Sequence, residues 1–126
     1  MSIVGIGSDI VAIARIRRLA ADPDSRFARR VLCEAERSHG RRQADFAAFV
    51  ARRFAAKEAG AKALGTGIAA GIGFHDLMVS NDGRGAPSLA LTGRAAERAD
   101  ALGVHRCHLT ISDEREYAVA FVVLEG

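Results

Sequence analysis

The chain has 126 residues, 49% of them hydrophobic but rich in alanine, with no tryptophan and a formal charge of +3. This length suits a single domain, 1–126, whose light core would gain from a subunit interface. No run approaches the ~18 consecutive apolar residues of a membrane-spanning helix.

Ile3 to Val11 is almost continuously apolar and predicts a buried strand. Ser8 and Asp9 fall where a helix N-cap belongs, ahead of a helix over Ile10 to Ala20 with Ile10, Ile13, Ile16 and Leu19 in one row. Asp22-Pro23-Asp24-Ser25 is a turn and a fresh N-cap, followed by short helical pieces over Arg26 to Val31 and Glu34 to His39. A long helix spans Gln43 to Leu64 and stops at Gly65. Phe46, Phe49, Val50, Phe54, Ala61 and Leu64 share one stripe of it. Lys57 falls inside that stripe, and an ionisable group there needs a partner, a first hint of a site.

The glycine-rich loop 65–73 leads to strands over Leu77 to Ser80 and Ser88 to Leu91, joined through Asn81-Asp82-Gly83. A helix over Thr92 to Leu102 ends at Gly103. Cys107 to Ile111 and Tyr117 to Leu124 then form a last hairpin. One strand, then helices, then hairpins predicts an α+β fold with an antiparallel sheet. Cys33 and Cys107 match no metal or redox spacing, and no basic-then-apolar leader opens the chain, so the sequence predicts a cytoplasmic protein.

Charge is unevenly spread. Up to residue 64 there are 13 Lys and Arg against 7 Asp and Glu, and beyond it 5 against 8. The basic first half suits an acidic partner, which leaves nucleic acid, a membrane surface and an acidic protein open. Asp9 is either an N-cap or a ligand for a hard cation such as Mg²⁺, which takes one or two carboxylates plus substrate phosphates. Glu58 is either half of a surface pair with Lys62 or the second carboxylate of that site. Arg53, Lys57 and Lys62 on one helix, followed by the glycine loop, are suited to phosphate. Both common nucleotide-binding glycine motifs are absent. The four histidines lack zinc spacing, and His108, inside a strand, has a structural role as its default. These residues together describe a phosphate- and metal-binding enzyme.

The segment Arg53-Phe54-Ala55-Ala56-Lys57-Glu58-Ala59-Gly60-Ala61-Lys62-Ala63-Leu64-Gly65-Thr66-Gly67 resembles the signature helix of the phosphopantetheinyl transferases, in particular the small bacterial holo-acyl-carrier-protein synthases. Gly5-Ile6-Gly7-Ser8-Asp9-Ile10-Val11, Gly85-Ala86-Pro87 and the strand His108-Leu109-Thr110-Ile111 before Tyr117-Ala118 are similar to its other motifs, in order. Many members end the last motif with a histidine, where this chain has Asp113-Glu114.

The resemblance implies a long central helix wrapped by a small antiparallel sheet, in a homotrimer with active sites between subunits. It implies transfer of the 4′-phosphopantetheine group from coenzyme A to a serine of apo acyl carrier protein, within fatty acid biosynthesis. Asp9 and Glu58 would hold Mg²⁺, or Mn²⁺, with Lys62 as the third catalytic residue. Lys62 and His108 would contact the diphosphate, Arg53 and the Gly65-Thr66-Gly67 turn the nucleotide, and Gly85 to Pro87 the adenine. Arg15, Arg18, Arg26 and Arg30, with Leu19 or Phe27 as apolar anchor, would dock the acidic carrier protein. For the serine proton, Glu58, a coordinated water and another carboxylate remain open. Two rivals are a nucleic-acid-binding module, which would lack interleaved aromatics and any recognisable motif, and an inactive trimeric scaffold. A third is a transferase serving peptide or polyketide carriers.

Overall fold

The computed structural model describes residues 2–126. Strand β1 (Ile3–Ala12) is followed by helices α1 (Ile13–Leu19), α2 (Arg26–Val31), α3 (Glu34–Arg41) and the long α4 (Phe46–Ala63). A hairpin of β2 (Leu77–Asn81) and β3 (Pro87–Leu91) comes next, then α5 (Gly93–Leu102), β4 (Arg106–Asp113) and β5 (Tyr117–Glu125). The last two strands pair antiparallel and β1 adds to the other side of β5, giving the order β1-β5-β4. This is an α+β fold with two small antiparallel sheets.

One face of the three-stranded sheet is built for close approach by α4. Ala118, Ala120, Val122 and Leu124 alternate inward along β5 and are fully buried. On β1 the inward positions include Gly5 and Gly7. A Cβ at Gly5 would stand 2.2 Å from the Ala63 carbonyl oxygen, and one at Gly7 would stand 2.1 Å from that of Ala59. The helix answers with Ala55, Ala56, Ala59 and Ala63. The alanine content that looked like a thin core is therefore a seam in which small residues bring helix and sheet together.

Strand β1 covers the predicted Ile3 to Val11 and one residue more, so the helix expected from Ile10 begins only at Ile13. Ser8 and Asp9 pair with Phe121 and Ala120, and pairing continues to Ala12 opposite Tyr117. Neither residue is an N-cap. The cap position of α1 is Ala12, and the first helical N–H, that of Ile13, donates to the Glu116 carbonyl at 2.8 Å. A tertiary hydrogen bond thus replaces the local cap. Elsewhere the local signals hold: Ser25 caps α2 through the Ala28 N–H, and Gly103 takes a left-handed conformation after α5.

The long helix starts at Phe46 because Asp45 caps it, accepting from the Ala48 N–H at 3.2 Å. Arg17 of α1 forks onto both Asp45 carboxylate oxygens, at 3.0 and 2.9 Å. Its hydrogen bonds hold the Asp45 carboxyl below the usual aspartate range. A depressed folded value means that this contribution is complete above the unfolded value of ~3.9 and is lost as pH falls through the folded one. Asp45→Asn keeps the cap and removes the pair, so it should lower stability at neutral pH by less than ~1 kcal/mol. Unfolding midpoints followed against pH should converge for the two proteins once the carboxyl is protonated in both states; parallel curves would deny the pair any energetic role.

Candidate active site

Asp9 lies two residues beyond Gly7, on the side of β1 that meets α4. Its carboxylate meets Lys62, with Nζ 3.0 Å from Oδ1, and the same ammonium donates to the Ser8 carbonyl at 3.1 Å. Lys62 is four residues beyond Glu58, one turn of helix, so the two side chains leave α4 on the same side. Glu58 stands close enough to Asp9 to be repelled by it. Partial burial raises the Glu58 carboxyl above the ordinary glutamate value, and the Asp9 charge raises it further. Lys62, Arg15 and Arg30 oppose that rise.

Among the described residues no cation lies within ion-pair distance of the Glu58 carboxylate, although it is half-buried. Two like charges from two elements, one without a direct partner, offer oxygen donors of the kind a hard divalent cation takes. No group of three or more His, Cys, Asp or Glu forms a ready-made metal cluster among the described residues.

Lys57 has a different role from the one its place in the apolar stripe suggested. It is fully buried, with Nζ 2.6 Å from Glu36 Oε1 and 2.6 Å from the Val31 carbonyl oxygen. It points away from Asp9, into the packing of α2 and α3 against α4.

Arg53 lies near the middle of α4, five residues before Glu58, in a cleft of about 480 Å³. It is only 5% exposed, with its guanidinium 4.7 Å from the Phe49 ring centre and Nη2 donating to Asn81 Oδ1 at 3.1 Å. Asn81 in turn donates to the Gly85 carbonyl at 3.1 Å. Arg53, Gly85 and Pro87 therefore meet in one cleft, floored by α4 and walled by the β2–β3 turn. Its rim also carries Arg52, paired with Asp113 at 3.5 Å, and His39, stacked on Phe49. Asn81 and Arg52 were not singled out in the sequence, because asparagine in a turn and arginine on a helix are ordinary there.

Two candidates stand apart. The Gly65-Thr66-Gly67 turn closes the C-terminal end of α4, with Gly65 at φ 81° and Gly67 at φ 64°. It lies ~18 Å along the helix axis from Arg53 at 1.5 Å per residue, beyond Glu58 and Lys62. Arg98 of α5 braces this end by donating to the Leu64 carbonyl at 2.9 Å. His108 sits on the outer face of the sheet, where Nε2 is 3.1 Å from Glu125 Oε1. The same face carries Ile6, Ile10 and Phe121, each more than half exposed. Of the expected docking residues, Arg26 is exposed, Leu19 is 45% exposed, and Phe27 packs on Phe54 at 5.7 Å. Arg15 lies over the Phe54 ring at 5.8 Å, and its charge also reaches Glu58.

Residues 5–122 match the family model described as the 4′-phosphopantetheinyl transferase superfamily. The chain belongs to that superfamily. It is 56% identical over 122 residues to a holo-[acyl-carrier-protein] synthase of Halorhodospira halophila, covering 97% of both chains. It is 58% identical to one from Alkalilimnicola ehrlichii, covering 98% of each. Its fold matches the crystal structure of a holo-[acyl-carrier-protein] synthase from Neisseria meningitidis with a TM-score of 0.88 and 38% identity, over 99% of this chain and 100% of that one. The Helicobacter pylori holo-[acyl-carrier-protein] synthase solved in complex with coenzyme A matches at a TM-score of 0.82 and 32% identity, over 95% of this chain and 99% of that one.

Proposed function

We propose that this superfamily member is a holo-acyl-carrier-protein synthase: it transfers the 4′-phosphopantetheine group of coenzyme A to a serine of apo acyl carrier protein and releases adenosine 3′,5′-bisphosphate. The observation that carries this reading is the meeting of Asp9 from β1 with Glu58 and Lys62 from α4, in a chain more than half identical to holo-acyl-carrier-protein synthases. Incubation with coenzyme A, a magnesium salt and apo carrier protein should add the mass of one phosphopantetheine to the carrier. An unchanged carrier mass would refute the reading.

In the reaction the carrier serine oxygen attacks the phosphorus bonded to the pantetheine oxygen. The bond from that phosphorus to the adenosine bisphosphate oxygen breaks, and the serine proton passes to a base. Asp9 and Glu58 would hold Mg²⁺, which when bound neutralises diphosphate charge as it shifts to the leaving oxygen; Mn²⁺ suits the same oxygen donors. Lys62 adds a mobile positive charge beside Asp9 and can follow the leaving group. Glu58, with its raised affinity for protons, is chemically suited to take the serine proton. A carboxylate engaged with a cation is a poorer base, so the two roles compete at this residue.

The cleft at Arg53 suits the adenosine end of coenzyme A. The Arg53 guanidinium Nε is buried without a hydrogen-bond partner among the described residues, and Gly85 and Pro87 line the same cleft. His108 and the Gly65-Thr66-Gly67 turn would complete the nucleotide contacts from a neighbouring subunit. A homotrimer sealed by the outer sheet face with Ile6, Ile10 and Phe121 answers both needs, because it covers exposed apolar surface and assembles separated residues. We place the reaction in fatty acid biosynthesis in the cytoplasm.

The carrier protein would dock on α1 and α2. Arg15 is also within the field of Glu58, so the docking face is better tested at Leu19 and Arg26. Leu19→Ser combined with Arg26→Glu should raise KM for carrier protein about tenfold while sparing KM for coenzyme A. An equal rise in both constants would reject this face.

A further inference from the structure

The buried pair of Lys57 and Glu36 joins more of the molecule than an ion pair between two helices requires. Lys57 precedes Glu58 on α4. Its ammonium donates both to Glu36 and to the carbonyl of Val31, the last residue of α2. That carbonyl is one of those a helix leaves without an internal partner, and it lies at the negative end of the helix dipole. Glu36 accepts from the Cys33 N–H at 3.0 Å through Oε1, fixing the start of α3. Its Oε2 accepts from the Val79 N–H at 3.2 Å, reaching the strand that ends at Asn81 beside Arg53.

Helix α2 has six residues, too few to hold its shape in water unaided. It carries Arg26 on the expected carrier face, and Arg30, whose charge acts on Glu58. Where α2 ends therefore decides how far these groups stand from the catalytic helix. Packing of Phe27 on Phe54 fixes one side of α2. The Val31 carbonyl, gripped by Lys57, fixes its end.

We infer that Lys57 and Glu36 are positioning residues for carrier protein: they pin α2 to the turn of α4 that bears Glu58, so that the docking face and the metal-site carboxylate keep a set separation. This rests on reading α1 and α2 as the carrier face. Burial of both charges alone does not explain the arrangement, since an apolar pair of similar volume stabilises a core as well. An apolar pair could not reach a helix-end carbonyl and a strand N–H at the same time.

The test is the double variant Glu36→Gln/Lys57→Met, which removes both charges together, keeps both side chains unbranched at Cβ and close to their original size, and leaves an acceptor for one of the two N–H groups. The expected result is a folded protein with KM for carrier raised about tenfold and KM for coenzyme A within about twofold of wild type. Amide hydrogen exchange should quicken over 27–32 and remain as in wild type across β1 and β5. A folded variant with wild-type KM for carrier overturns the inference. So does an equal rise in both constants with faster exchange throughout, since the pair would then be structural only. If the double variant does not fold, Glu36→Asp decides: it keeps the charge but shortens the reach, and wild-type KM for carrier there also overturns the inference. Should the wild type transfer nothing, that failure belongs to the proposed activity, and exchange over α2 still decides whether the pair anchors it.

Discussion

Asp9→Ala and Glu58→Ala should each cut phosphopantetheine transfer by about a hundredfold or more while leaving the fold intact. The magnitude follows from charge: a bound divalent cation is worth several kcal/mol to a transition state of this type, and each ~1.4 kcal/mol is tenfold in rate. The intact fold follows from the electrostatics of the site. Burial raises the Glu58 carboxyl and the Asp9 charge adds to that rise, so Glu58→Ala removes an unfavourable group, whereas Asp9→Ala eases Glu58 but gives up the ion pair with Lys62 at 3.0 Å. The thermal midpoint of Glu58→Ala, measured without divalent cation, should equal or exceed that of the wild type, and that of Asp9→Ala should fall only slightly below it. Adding Mg²⁺ should then raise the wild-type midpoint and neither of theirs. Wild-type turnover in both variants would remove the metal assignment, and a large loss of stability would mean that these carboxylates serve the fold first.

Gly7→Ala should be the most damaging single methyl group in the protein. Its Cβ would sit 2.1 Å from the Ala59 carbonyl oxygen and 2.6 Å from the Ala63 nitrogen, both backbone atoms of α4 that cannot swing away. Either β1 or α4 must shift, and these are the two elements that bear Asp9, Glu58 and Lys62. Overpacking of this kind should cost about 3 kcal/mol or more. It should also depress transfer, because a displaced strand carries Asp9 with it. The matched control is Gly83→Ala, where a Cβ meets nothing within 4 Å. Guanidinium midpoints that coincide for the two variants would show that the seam between strand and helix tolerates expansion.

Several parts of the molecule were legible in the sequence because their causes are local. Ser25 before Arg26, Gly103 after Leu102 and Asn81-Asp82-Gly83 between two apolar runs each act on a few neighbouring residues, and the corresponding helix start, helix stop and hairpin are present. The helix start that Ser8 and Asp9 suggest is overridden from a distance. Both residues suit an N-cap, but β5 lies alongside to pair with them, and pairing through Ala12 outweighs the cap. Lys57 was recognised as needing a partner, yet that partner is Glu36, which by itself is an unremarkable acid in a short helix. Nothing in sequence spacing links positions 21 residues apart on separate helices.

The candidate site divides in the same way. Asp9, Glu58 and Lys62 were identifiable as residue types able to grip a cation and a diphosphate, and Arg53 as one able to hold phosphate. That much is intrinsic to their chemistry and to one turn of helix between Glu58 and Lys62. Whether Asp9 meets them depended on two glycines that let β1 lie directly on α4. Only packing in three dimensions also turned Lys57 inward, drew Asn81 to Arg53, and put His108 on the far side of the sheet. Side-chain chemistry travels with the residue, whereas proximity between distant segments exists only once the backbone has closed around them.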